Sequence, residues 1–188
     1  MTVEGAGEFL ARLITKLSEA GIAHMVVGSF ASSFHGIPRS SQDLDLVIDP
    51  TPISLRRFIA ALPADDYYTD LEAALDALRR RSQFNVIDMA TAWKADLIIR
   101  KTRPFSETEM QRRKEGELLG ARVFVASAED TLISKLEWAK QGGGSDLQFR
   151  DAAGILQVRA EGLDLSYIEH WVAQLGLEDA WRRLRAKP

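Results

Sequence analysis

Asp43 and Asp45 are separated by one leucine in the run Asp43-Leu44-Asp45-Leu46-Val47-Ile48. Read as a strand, the run places Leu44, Leu46 and Ile48 on one face and the two carboxylates on the other, because side chains alternate with period two. The acids then project side by side, about 6–7 Å apart at the backbone. Their oxygens can converge on hard cations such as Mg²⁺; without a cation, their repulsion is a net cost. Upstream, Gly28-Ser29 directly follows the apolar run Met25-Val26-Val27. Glycine lets a ligand approach the backbone closely, and amides at a helix N-terminus favour phosphate. One element suits a phosphate and the other suits a metal that bridges it.

Residues 25–48 must fold as strand, tight turn, helix, loop and strand to position these groups. The helix after Gly28-Ser29 spans about one and a half turns; it is expected to expose Ser32 and Ser33 and to bury Phe30 and Phe34. His35 closes it as a capping or packing residue, with no second histidine nearby in sequence. The break Gly36-Ile37-Pro38 then delivers Arg39 to the loop directly before the acids.

Gly-Ser at a strand end followed by Asp-x-Asp in the next strand resembles the nucleotidyltransferase superfamily, which includes DNA polymerase beta, antibiotic nucleotidyltransferases and minimal nucleotidyltransferases. The fuller string, Gly28-Ser29, His35-Gly36, Pro38-Arg39, Ser41 and Asp43-Leu44-Asp45-Leu46, is most similar to the bacterial branch of abortive-infection (AbiEii-type) toxins. The resemblance implies an α/β nucleotidyltransferase fold, a short mixed sheet flanked by helices, with a C-terminal helical subdomain. It implies transfer of a nucleoside monophosphate from an NTP to a hydroxyl, with release of pyrophosphate. Two Mg²⁺ ions, or Mn²⁺, would be held by Asp43, Asp45 and a third acid, while Gly28 and Ser29 grip the phosphates. Arg39 would brace Asp43, contact the triphosphate, or remain a solvated loop residue.

The string Lys94-Ala95-Asp96-Leu97-Ile98 matches the family pattern around the third carboxylate, so Asp96 is the expected metal ligand nearest the attacking hydroxyl. Asp88 competes, but it ends its strand at a turn, where aspartate is common for local reasons. The toxin branch also carries a lysine and a later Arg/Lys-Asp pair as functional motifs, which match Lys135 and Arg150-Asp151. On that basis Lys135 is a catalytic and nucleotide-binding candidate, and Asp151 a catalytic one. From the residues alone, Leu147, Asp151, Ile155 and Val158 recur at helical spacing, so Asp151 falls in an apolar stripe. It then needs a cationic partner, and Lys135 or Arg150 could supply it, as a structural ion pair or in a cleft.

Apolar periodicity predicts the remaining elements. Helices are expected over residues 9–20, 50–62, 69–81, 128–139, 146–158, 165–175 and 178–186, and strands over 22–27, 84–88, 95–99 and 123–125. Ser127 and Asp130 have capping-box spacing. Residues 100–117 carry charges of both signs and read as a solvated helix and loop. Gly142 to Ser145 reads as a glycine stop. The expected domains are residues 1–126, the nucleotidyltransferase unit, and 127–188, the helical subdomain.

Composition narrows the class. With 188 residues, 46% hydrophobic and 27% charged, the chain has an ordinary globular balance and can bury a core. It contains no cysteine, which excludes disulfides and thiolate metal sites and fits a cytoplasmic location. No signal peptide or membrane span is expected. A net charge of −3 opposes nucleic-acid binding through overall charge. Local basic clusters remain at residues 79–81, 112–114 and 182–187. The resemblance to the toxin branch makes tRNA or another RNA 3′ end the first acceptor to consider. A small antibiotic such as an aminoglycoside, or a protein hydroxyl, comes next. The same resemblance implies a cognate antitoxin as a partner, and the rival reading is a non-catalytic antitoxin or nucleotide-binding relative.

Overall fold

The computed structural model describes residues 3–142 and 145–186; the expected stop at Gly143-Gly144 and the tail residue Lys187 lie outside them. The chain forms two compact units, Met1–Val27 with Ser41–Val125, and Gly28–Ser40 with Ala126–Pro188. The second cut falls beside the expected boundary at residue 126. The first was not expected: the segment from Gly28 to Ser40 groups with the C-terminal helices.

In the first unit, seven strands among the described residues form one mixed sheet: β1 (Ala23–Val26), β2 (Asp43–Asp49), β3 (Tyr67–Tyr68), β4 (Gln83–Asp88), β5 (Lys94–Ile99), β6 (Lys114–Leu118) and β7 (Ala121–Val125). Their order is β3-β4-β5-β2-β1-β7-β6. At the centre β2 pairs antiparallel with β1 and parallel with β5. The alternation of β2 is realised: Leu44, Leu46 and Ile48 are fully buried, while Asp43, Asp45, Val47 and Asp49 keep partial exposure on the other face. Each leucine or isoleucine so buried is worth about 1.5–3 kcal/mol of transfer free energy, so a one-residue slip that exchanged the faces would be strongly disfavoured.

Helix α1 (Val3–Glu19) buries Phe9, Leu10, Leu13 and Leu17, the stripe its periodicity predicts. Helix α3 (Pro52–Ala60) starts at Thr51, whose hydroxyl accepts from the Ser54 amide, and α4 (Leu71–Arg80) starts at Asp70, whose carboxylate accepts from Ala73. Residues 100–117 depart from expectation. They hold α5 (Pro104–Arg112), as a helix there predicts, and then the edge strand β6, which joins β7 through the two-residue turn Leu119-Gly120.

The second unit contains α2 (Gly28–His35), α6 (Ala128–Gln141), α7 (Asp146–Arg159), α8 (Leu165–Leu175) and α9 (Glu178–Ala186). Ser127 caps α6 by accepting from the Asp130 amide, as its spacing predicts. Helix α2 packs on α6 and α7. The burial expected for α2 is inverted, since Ser32 is buried and Phe30 and Phe34 are only partly so. The hydroxyl of Ser32 satisfies itself internally, 3.0 Å from the Ser29 carbonyl and 3.4 Å from Asp151 Oδ2, so this face can turn inward without an orphaned polar group. No described helix is long and apolar enough to cross a membrane.

Candidate active site

The acid face lies on the central strands of the first unit. In the parallel β2–β5 register Asp45 stands opposite Asp96 and Asp43 opposite Lys94. Because positions 43 and 45, and 94 and 96, are each two apart, all four side chains share one face of the sheet. The three carboxylates are thus neighbours, one strand spacing of about 4.8 Å apart across the sheet and one two-residue repeat along it. Asp96 is the most buried of the three, at 9% exposure. Its Oδ1 accepts 2.9 Å from the Asn85 amide nitrogen, and Asn85 is its register partner on β4. Sequence reasoning missed Asn85, although the alternation Gln83-Phe84-Asn85-Val86 puts Asn85 on the polar face.

Lys94 Nζ lies 3.2 Å from Asp96 Oδ2 and 3.3 Å from Asp43 Oδ1. Burial draws its pKa down, but hydrogen bonds to Asp96 and Asp43 and their charges outweigh that and leave it raised. The donor set fits a hard divalent cation: all the oxygens are carboxylate oxygens, and the face already draws a cation to itself in the lysine ammonium. Among the described residues no three His, Cys, Asp or Glu side chains stand together as a group that could hold a metal ion in this arrangement, in which Lys94 takes up oxygens of Asp43 and Asp96.

Asp88 is engaged differently. It is 2% exposed, with Oδ1 accepting from Arg12 Nη2 at 3.1 Å and Oδ2 from the Thr91 hydroxyl. Arg12 also reaches the Tyr67 hydroxyl at 3.0 Å. One oxygen therefore fastens the end of β4 to α1 and the other braces the turn that follows the strand, the local role its turn position suggests. At the opposite end of β2, Asp49 pairs with Arg100 at 2.8 Å and lies 4.0 Å from Arg81. That end is six residues from Asp43, about 20 Å along the strand.

The turn into α2 begins the second set of groups. Gly28 has φ +63, a left-handed conformation that favours glycine, and Ser29, just inside the helix, is buried. In the other unit the Val27 amide donates to the Asp45 carbonyl at 2.9 Å, so β1 ends beside the acid strand. Farther along α2, His35 Nε2 donates to the Ala126 carbonyl at 2.7 Å, which makes it the packing residue its isolation suggests.

Asp151 is the hub of the second unit. Lys135 Nζ donates to its Oδ2 at 2.8 Å. Arg39 Nε and Nη2 donate as well, with Nε 3.0 Å from Oδ1 and Nη2 3.1 Å from Oδ2. Burial, the largest single influence, pushes the Asp151 carboxyl up, but hydrogen bonds from Arg39 and Lys135 and their charges together hold it below its ordinary value. Lys135 is therefore the expected partner realised, whereas Arg150 is exposed and Arg39 was not anticipated here. The stripe that suggested an inward Asp151 is only half buried: Asp151 and Ile155 face inward, but Leu147 and Val158 are exposed, and Phe149, Ala152 and Gly154 complete the buried face.

A close crossing delivers Arg39 to Asp151. A Cβ on Gly36 would lie 2.7 Å from the Ile155 nitrogen and 2.8 Å from the Gly154 carbonyl carbon, so no larger residue fits. Gly154 is one turn beyond Asp151 on α7. Three residues upstream of Arg39, the chain is thus pressed against the helix that carries its partner.

No protein-family model matches the chain, and no curated protein matches it. Solved structures do. ANT(2'')-Ia in complex with adenylyl-2''-tobramycin superimposes with a TM-score of 0.62 at 11% identity, over 91% of this chain and 97% of that one. The lincomycin-bound lincosamide antibiotic adenylyltransferase LnuA gives 0.52 at 10% identity, over 79% and 95%. An antigenic nucleotidyltransferase-like protein from Paracoccidioides brasiliensis gives 0.55 at 17% identity, over 98% and 93%. The architecture of the chain is the nucleotidyltransferase fold.

Proposed function

We propose that this protein transfers a nucleoside monophosphate from an NTP to a hydroxyl acceptor and releases pyrophosphate. The observation that carries the reading is the placement of Asp43, Asp45 and Asp96 at neighbouring register positions on one sheet face. A divalent cation pair, Mg²⁺ or Mn²⁺, would be held by these three acids and would supply charge neutralisation and activation of the acceptor hydroxyl. The chain's own contribution is positioning and electrostatics. Asn85 fixes the rotamer of Asp96 through one oxygen. Gly28 and Ser29 offer backbone amides at a helix N-terminus to the nucleotide phosphates. Arg39 and Lys135 share one carboxylate, so this cluster carries one surplus positive charge, which suits a polyphosphate; Asp151 orients both cations.

A small hydroxylated molecule is the acceptor favoured over RNA. The arginine clusters that would form an RNA surface are largely paired with acids: Arg79 and Arg80 with Asp76, Arg182 with Asp179, Arg183 with Asp146 and Arg185 with Glu169. Antibiotic adenylyltransferases share the fold, so antibiotic-like polyols are the first acceptors to test. Transfer to a tRNA 3′ end, as a toxin restrained by an antitoxin, is the second reading; it rests on the motif string from Gly28 to Asp45.

The test is to incubate the protein with each α-labelled NTP, Mg²⁺ and a size-fractionated cell extract. Label in the small-molecule fraction is the expected result. Label in RNA would move the second reading to the front, and no label with any NTP would leave a nucleotide-binding or antitoxin role.

A further inference from the structure

Lys94 occupies the fourth corner of the acid face, across from Asp43 in register and two residues before Asp96 on the same strand. Its ammonium lies within 3.3 Å of an oxygen from each of these acids. Carboxylate oxygens bonded to an ammonium at that distance are not free to close on Mg²⁺, which demands near-octahedral contacts at about 2.0–2.1 Å. Two cations drawn to one pair of carboxylates also repel each other. Lys94 has somewhere to go, since a third of its side chain is exposed and its stem is long and freely rotating.

We propose that Lys94 is a built-in counter-cation, which neutralises Asp43 and Asp96 in the metal-free protein and must swing off them before a divalent ion binds. The inference rests on the reading of these acids as metal ligands. It has two consequences. The acids are held on one face without the repulsion that would otherwise oppose folding of the metal-free state. Divalent ions in the absence of nucleotide bind more weakly than three carboxylates alone would dictate.

The test is titration of Mn²⁺, followed by the electron paramagnetic resonance of the free ion, into nucleotide-free native protein and into the Lys94→Met, Lys94→Gln and Asp45→Asn variants. Lys94→Met and Lys94→Gln should bind Mn²⁺ about tenfold more tightly than the native protein, equivalent to about 1.4 kcal/mol, and Asp45→Asn should bind it more weakly. Native-like or weaker binding by folded Lys94→Met, alongside loss in Asp45→Asn, would overturn the role of Lys94 and leave the metal site standing. Failure of every protein to bind Mn²⁺, with or without ATP, would remove the metal site itself. A second measurement needs no variant: reductive methylation of the native protein, read by mass spectrometry at Lys94, should increase severalfold when Mg²⁺ is added. Labelling of Lys94 that does not change while Mn²⁺ binds at Asp45 would contradict the proposal.

Discussion

Arg39 and Asp151, 112 positions apart in the chain, are joined by both Nε and Nη2 of the guanidinium, at 3.0 to 3.2 Å from the two carboxylate oxygens. This geometry changes which member of the cluster matters most for stability. Asp151→Ala leaves two cations without a carboxylate, one of them on a lysine side chain only 6% exposed, and should lose about 3–5 kcal/mol. Lys135→Met leaves Asp151 still held by Arg39, and should lose about 1–3 kcal/mol. Urea unfolding of both variants checks the order; an equal or larger loss for Lys135→Met would contradict it.

The same carboxylate sets part of the acid response. The folded pKa of Asp151 lies below its unfolded value, because Arg39 and Lys135 outweigh burial. Its contribution to stability is therefore fully present above the unfolded value of about 3.9 and is lost as pH falls through the folded one. As pH falls below the unfolded value and through the folded one, the native protein should lose stability that Asp151→Asn, already less stable, does not lose. Thermal melts across that range should converge, and parallel acid limbs would show that another group dominates.

Asp88 and Asp96 separate by their partners. Asp88→Asn disturbs bonds to Arg12 and Thr91 in a buried position, so it should lose about 1.5–3 kcal/mol while the folded fraction keeps its turnover. Asp96→Asn should melt near the native temperature, bind NTP normally and lose roughly 10²–10³-fold in turnover. Turnover measured alongside melting distinguishes the two, and an inactive but stable Asp88→Asn would reverse the assignment.

What the sequence made legible was local. The faces of β2 follow from period two, the start of α6 from its capping residue, and the inward-facing Asp151 from helical spacing. Partners distant in sequence were not legible: nothing around Arg39 points to residue 151, and Asn85 gains meaning only once β4 lies beside β5. Strand β6, Lys-Glu-Gly-Glu-Leu, lacks an apolar alternation because it is an edge strand, and charge on such edges discourages further pairing. The two-residue β3 is too short to leave a pattern. The placement of α2 with the C-terminal helices depends on the Gly36 crossing, a contact with Gly154 that composition cannot announce.

The basic triplet makes a further distinction. Arg79 and Arg80 are paired with Asp76, and Arg81 lies at the end of β2 remote from Asp43. Replacing all three with alanine should change acceptor affinity by less than twofold and leave its salt dependence flat. An RNA acceptor gripped there would instead lose a salt slope of about −0.7 per phosphate contact, which tRNA titrations over a range of salt would reveal.

The most direct measurement of the central claim is transfer of label from α-labelled NTP by the native protein and by Asp45→Asn, compared at matched folded fraction with Mg²⁺ and with EDTA. The account predicts labelled acceptor and free pyrophosphate with native protein and Mg²⁺ alone, and a roughly 10²-fold or greater loss in the variant. Native-like transfer by Asp45→Asn, or transfer that persists in EDTA, would contradict it.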